Sequence, residues 1–148
     1  MIALTGYSGF IGQHLLSQFN PNDCLLLGRT VPESKYQYRK LDLAAIQPQS
    51  LLESLEQVDT FIHLAAHADA SLNTSKELLA EYRIVNTLAT VELAKQAAQA
   101  GVKRFIYISS IKVNGEQTPD GKAFTVNDTL APVDGYGISK AEAEHQLT

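Results

Sequence analysis

The chain has 148 residues, enough for one domain with its own core, and 45% hydrophobic with 19% charged residues is an ordinary globular balance that excludes disordered and fibrous classes. A net charge of −4 with scattered lysines and arginines argues against a nucleic-acid partner, and the apolar runs are far too short to span a membrane. The first residues have no basic flank or cleavage site, so the expected location is cytoplasmic; the single Cys24 sits beside leucines and is expected to pack, and no Cys/His cluster offers metal-ligand spacing.

The first predicted element is a strand, Ile2-Ala3-Leu4-Thr5. It runs into Gly6-Tyr7-Ser8-Gly9-Phe10-Ile11-Gly12, glycines at every third position, and residues 13–19 follow with helical apolar periodicity. Strand, glycine turn and helix make an anion cradle. Glycine turns sharply without a Cβ and admits a bulky group close to the backbone, while the helix start points free N–H groups outward. The ligand this pattern suits is a dinucleotide pyrophosphate, so Gly6, Ser8, Gly9, Phe10, Ile11 and Gly12 are candidate cofactor contacts.

Pro21-Asn22-Asp23 reads as a turn and residues 24–27 as a second strand ending at Gly28-Arg29. In a nucleotide-binding unit this strand end lies beside the adenosine ribose, where a carboxylate would hold the 2′-OH and an arginine a 2′-phosphate. The sequence has Arg29 there and no carboxylate before Glu33, which favours NADP over NAD, a solvated loop arginine being the other reading. Residues 41–43 are expected to end a third strand, and residues 47–57, with leucines at 51, 52 and 55, to form a helix. Residues 58–66 form an apolar stretch closing on Ala65-Ala66, small residues that suit either a ligand lying against the backbone or simple tight packing. Residues 76–100 carry a helical apolar face with Gly101 as a stop, either one long helix or two in sequence. Residues 102–108 are a further strand ending at Ser109-Ser110, a polar, turn-rich segment follows, and residues 137–147 look helical. The alternation predicts an α/β fold with a parallel sheet covered on both faces.

Tyr136 and Lys140 form Tyr-x-x-x-Lys, which puts both on one helix face. A lysine cation near a phenol favours the phenolate, making Tyr136 a candidate general acid or base, and a hydroxyl at Ser109 or Ser110 could hold the same substrate oxygen.

These motifs in order, Thr5-Gly6-x-x-Gly9-x-x-Gly12, Asp42-Leu43, His63-Leu64-Ala65-Ala66, Asn86, Tyr107-Ile108-Ser109-Ser110 with Val113-Asn114-Gly115, and Tyr136-Gly137-x-Ser139-Lys140, resemble the extended short-chain dehydrogenase/reductase family, the NAD-dependent epimerase/dehydratase group. The resemblance covers the whole chain. It implies a Rossmann-type doubly wound parallel sheet, incomplete at its C-terminal end, in the cofactor-binding portion of a longer enzyme whose substrate part lies beyond residue 148. By resemblance the glycines bind the pyrophosphate of NAD(P), Asp42 and Leu43 contact the adenine, and Leu64, Ala65, Ala66, Asn86 and Ser109 belong to the cofactor site. Ser110 would polarise the substrate oxygen, Tyr136 would move its proton, and Lys140 would hold the nicotinamide ribose and tune Tyr136. The family's sugar 4,6-dehydratases carry an Asp-Glu pair after the active-site hydroxyl residue, where this chain has Ile111 and Lys112. Water elimination is therefore disfavoured, leaving 4-epimerisation or 4-keto reduction of a nucleotide sugar, with a non-catalytic dinucleotide sensor as the other class. Asn114 stands in place of the family's usual tyrosine and Gly135 in place of its proline. A homodimer is implied only by the resemblance.

Overall fold

Short apolar strands alternating with amphipathic helices cannot bury both faces of a sheet unless each connection crosses over it, which makes neighbouring strands parallel. The computed structural model describes residues 1–68, 75–118 and 121–148, and in it the chain forms two compact units, Met1–Ala66 with Glu92–Ile108, and His67–Val91 with Ser109–Thr148.

The first unit is the sheet. Strands β1 (Ile2–Thr5), β2 (Cys24–Gly28), β3 (Gln37–Lys40), β4 (Thr60–His63) and β5 (Arg104–Tyr107) are ordered β3-β2-β1-β4-β5, every pair parallel. Side chains alternate across such a sheet, and the register sorts them into two apolar layers. Ala3, Leu25, Leu27 and Phe61 lie on one face with Leu51, Leu55, Leu93 and Ala97. Leu4, Cys24, Leu26 and Ile62 lie on the other, covered by Leu16 and Phe19. Both faces are covered, as a Rossmann-type parallel sheet requires. Thr5 pairs with Leu27 and with His63, and His63 with Tyr107, so the carboxyl ends of the four strands finish in step.

The second unit contains α3 (Lys76–Tyr82), a π-helical segment Arg83–Leu88, the turn Ile111–Val113 and the helix that closes the chain, Gly135–Leu147, which is α5. The π segment passes directly into α4 (Ala89–Gln99), so the stretch read as one helix or two is one continuous helix with a widened middle. Its stop is the expected one. Gly101 adopts φ +82, and Val102 N–H bonds back to Ala97 O at 3.0 Å.

Among the boundaries that differ from the sequence reading, three have a clear local cause. The first helix, α1, spans Phe10–Leu16 and starts inside the glycine turn, because the Gly9 carbonyl already accepts from Gln13 N–H at 2.9 Å. β3 ends at Lys40, and Asp42 instead caps a turn at Leu43–Ala45, its carboxylate accepting from Ala44 N–H at 3.1 Å. The helix expected over 47–57 shrinks to α2 (Leu52–Leu55), since Pro48 cannot donate and Gln49 sits at φ +60. Pro119 and Asp120 of the turn-rich segment lie outside the described residues.

Candidate functional site

Within the sheet unit the glycine turn is held by contacts that leave no room for side chains. Gly6 has φ +70, and a Cβ on it would lie 2.6 Å from Ala65 N. A Cβ on Gly12 would meet Gly6 O at 2.3 Å and Tyr7 Cα at 2.5 Å, so the first turn of α1 presses directly on the loop. Gly9 differs. A Cβ there would meet only Gly6 O, at 3.4 Å, and its neighbours Phe10 and Ile11 are 83% and 52% exposed. Two large apolar side chains standing in water at the start of a helix suit contact with a flat ligand. The turn thus brings Gly6, Gly9, Gly12, Leu64 and Ala65 together, while Ser8 is exposed and bonds Gln13 through its carbonyl.

Beneath this turn lies a polar pair that the sequence reading missed. Thr5 Oγ1 and His63 Nδ1 share a 2.6 Å hydrogen bond, both fully buried, and Ala65 N–H donates to the same hydroxyl at 3.3 Å. The pair ties the ends of β1 and β4 at the point where Gly6 must approach Ala65. A histidine inside the apolar run 58–66 was the available signal, since a buried ring nitrogen needs a partner.

At the end of β2, Arg29 is exposed, and the backbone on either side is fixed by two phenols: Tyr38 donates to Gly28 O at 2.9 Å and Tyr7 to Thr30 O. Asp42 is exposed and spends one oxygen on its turn, whereas Leu43 packs against the core.

In the second unit the candidate catalytic groups sit on α5 and on the turn before it. Asp134 caps α5, accepting from Gly137 N–H at 2.6 Å. Burial pushes its carboxyl up, but the Lys112 ammonium and the Gly137 N–H outweigh that and leave it below the usual range. Glycine at 135 and 137 lets the helix start pack tightly: a Cβ on Gly135 would lie 3.1 Å from the Tyr82 ring, and one on Gly137 2.8 Å from Lys112 O. Tyr136, between them, is half-buried with its ring edge-on to Tyr82 at 6.3 Å. Lys140, one turn on, is only 2% exposed, and burial pulls its ammonium down to about 8 against an opposing pull from Glu144. Ser110 Oγ accepts from Lys112 N–H at 3.3 Å, and Ser109 Oγ is buried with no hydrogen-bond partner among the described residues.

Asn86, on the π segment, is fully engaged by the protein. Its Oδ1 accepts from His67 N–H at 2.7 Å, and its Nδ2 donates to His67 O at 2.9 Å and to Ser139 Oγ at 3.0 Å. Thr87 Oγ1 donates to Ser139 O at 2.8 Å, and Ser139 Oγ to Tyr136 O at 2.8 Å. Ser139 is therefore the node through which the long helix fixes α5. In the sequence it was only a place in a motif.

Among the described residues no group of acidic, histidine and cysteine side chains could hold a metal ion, and no helix is long and apolar enough to cross a membrane. Residues 2–148 match the NAD dependent epimerase/dehydratase family. The chain belongs to that family. It is 42% identical to UDP-glucose 4-epimerase of Vibrio cholerae across 99% of this chain and 45% of the relative, and 27% identical to dTDP-D-glucose 4,6-dehydratase of Mus musculus across 97% and 44%. Its fold matches that of MoeE5 in complex with UDP-glucose and NAD, with a TM-score of 0.78 and 31% identity over 98% of this chain and 47% of that one. The chain thus spans about half the length of the relatives it matches.

Proposed function

We propose that this chain is the cofactor-binding part of a nucleotide-sugar 4-epimerase, similar to the UDP-glucose 4-epimerases, in which Tyr136 moves the proton of the sugar hydroxyl. The observation that carries the reading is the buried Lys140 one helical turn from the half-buried Tyr136, on a helix capped and packed to hold both. Residues four apart on a helix share a face, so a substrate oxygen held at Tyr136 would have both a hydroxyl and an ammonium within its reach.

The residues fit a dinucleotide. The glycine turn is closed on its inner side and open at Gly9, and the buried Ser109 hydroxyl has an unused hydrogen-bonding capacity. NAD(P), when bound, supplies the acceptor and donor of hydride. The chain's own groups do the rest. Gly6, Gly9 and Gly12 with the backbone of Ser8, Phe10 and Ile11 would hold the pyrophosphate, Asp42 and Leu43 would border the adenine, and Leu64, Ala65 and Ala66 would lie against the remainder; Asn86 and Ser109 are assigned to the cofactor by resemblance alone. Ser110 would hold the sugar's C4 oxygen, Tyr136 would accept and later return its proton, and Lys140 would hold the nicotinamide ribose. Ile111 and Lys112 offer no acid for water elimination, which supports epimerisation over dehydration.

In the full-length enzyme the test is interconversion of UDP-glucose and UDP-galactose without net consumption of cofactor. Tyr136→Phe is expected to lower kcat by roughly 10²–10⁴-fold with dinucleotide affinity retained. Turnover near wild type in that variant would sink the reading, and stoichiometric oxidation of the reduced cofactor with a 4-keto sugar would make the enzyme a 4-ketoreductase. Arg29, exposed at the end of β2, supports NADP as the preferred dinucleotide, although the solved structure named above is of a complex with NAD. Calorimetry with NADP and NAD decides it: Arg29→Ala should weaken NADP selectively, and equal affinities in the wild type would remove the preference.

A further inference from the structure

We propose that Lys112 is a positioning residue that ties the turn carrying Ser110 to the start of the helix carrying Tyr136, and so sets the separation of those two groups. The proposal rests on the roles given above to Ser110 and Tyr136.

Three parts of this one residue reach three parts of the site. Its N–H donates to Ser110 Oγ at 3.3 Å, so the serine hydroxyl is oriented by the residue's backbone. Its carbonyl oxygen lies where a Cβ on Gly137 would be 2.8 Å away, so the first turn of α5 rests on it. Its ammonium pairs with the Asp134 carboxylate, whose other oxygen accepts from Gly137 N–H at 2.6 Å. The carboxylate is therefore shared between the cap of α5 and the cation of the Ser110 turn, and a shift of either end strains the other. Ala131 N–H donates to Val113 O at 3.0 Å, a second tie across the same gap.

The ion pair is sheltered on its acidic side. The Asp134 side chain is 17% exposed and that of Lys112 39%, with Glu116 3.3 Å from the same ammonium. Partial burial strengthens the attraction and raises the cost of leaving Asp134 without its cation. The consequence for chemistry is geometric. Ser110 and Tyr136 must reach one substrate oxygen together, and reacting groups displaced by about 1 Å lose on the order of 10²-fold in rate.

The test compares Lys112→Met and Lys112→Arg in the full-length enzyme turning over UDP-glucose. The methionine variant should lose roughly ten- to hundredfold in kcat, with KM for UDP-glucose and dinucleotide affinity within about twofold of wild type. The arginine variant, which keeps the cation, should recover most of the rate. Amide hydrogen exchange gives a readout independent of activity: Gly137, Ile138 and Val113 should exchange several-fold faster in the methionine variant, roughly in proportion to the loosening of the tie. Unchanged kcat and unchanged exchange in the methionine variant would overturn the proposal, as would an arginine variant as slow as the methionine one. A fully active Tyr136→Phe would instead defeat the assigned chemistry, leaving the exchange result to decide the tie.

Discussion

Each of the two compact units has its own interior, and the balance of what they bury differs. In the sheet unit every strand contributes to one of two apolar layers, and Ala3, Leu4, Leu26, Leu27, Phe61 and Leu93 are fully buried. In the second unit the buried set includes Asn86, Thr87, Thr90, Ser139 and Lys140, and the apolar clusters among the described residues all belong to the first. An apolar layer tolerates substitution of similar volume, whereas a buried polar network fixes one geometry and penalises any missing partner. The unit that would only hold a cofactor is thus built for stability, and the unit that would do proton chemistry is built for placement.

The comparison breaks first at its tightest backbone contact. In the sheet unit the exception to tolerance is Gly12, where a Cβ would meet Gly6 O at 2.3 Å and Tyr7 atoms at 2.5 and 2.8 Å, all backbone. Gly12→Ala should cost about 3 kcal/mol or more, because α1 must lift off the loop, and should abolish dinucleotide binding. Denaturant melts and calorimetry on the same protein check both. A binding-competent Gly12→Ala variant would mean that the turn does not need the close approach described for it.

In the second unit, Asn86→Leu removes the acceptor of His67 N–H and two donors while keeping bulk. The expected loss is about 2–3 kcal/mol, set by the buried groups left unsatisfied rather than by lost area. A double-mutant cycle with Ser139→Ala should show coupling of at least about 0.5 kcal/mol, since the two side chains share a hydrogen bond. Additive effects would show that Ser139 is not the node proposed from the geometry.

Lys140 separates placement from stability. Its ammonium is drawn down to about 8 by burial, from an ordinary value of 10.5. Between those values the unfolded chain carries the proton and the folded chain does not, so stability rises with pH across that window, and below pH 8 the folded state bears the full cost of the buried cation. Lys140→Met should flatten that rise and stabilise the fold at pH 7 by roughly 2 kcal/mol, while removing the proposed catalysis. Denaturant melts of both proteins at pH 7 and pH 10 read the difference directly. Equal stability at pH 7 would show that the lysine's burial is compensated by its surroundings.

Legibility in the sequence followed the same division. Strands β1, β2, β4 and β5 were readable because apolar runs bounded by glycine or turn residues have few other uses, and the Gly6-Gly9-Gly12 spacing pointed to its turn because no side chain fits two of the three positions. The reading failed where a local polar bond overrode pattern: Asp42 bonding Ala44 N–H ended β3 early, and Gln49 at φ +60 cut the leucine-rich helix to one turn. Partners were the least legible feature. Nothing in a linear pattern pairs Thr5 with His63 or Asn86 with Ser139, because those bonds depend on which backbone groups the fold leaves unsatisfied.

The smallest expected effect tests whether placement in the second unit depends on buried neutral bonds rather than on charge as such. Arg83 and Glu142 form a forked pair, with Arg83 Nε 2.9 and 3.1 Å from the two carboxylate oxygens, but their side chains are 47% and 33% exposed. The pair joins the same two elements as Asn86 and Ser139, so the helix packing is shared between the two cases. Water screens the ions and ordering two long side chains costs entropy, so Arg83→Ala should lose less than about 1 kcal/mol, and less still at high salt. A loss as large as that of Asn86→Leu would reverse the ranking and make the surface fork, not the buried amide, the main fastening of α5.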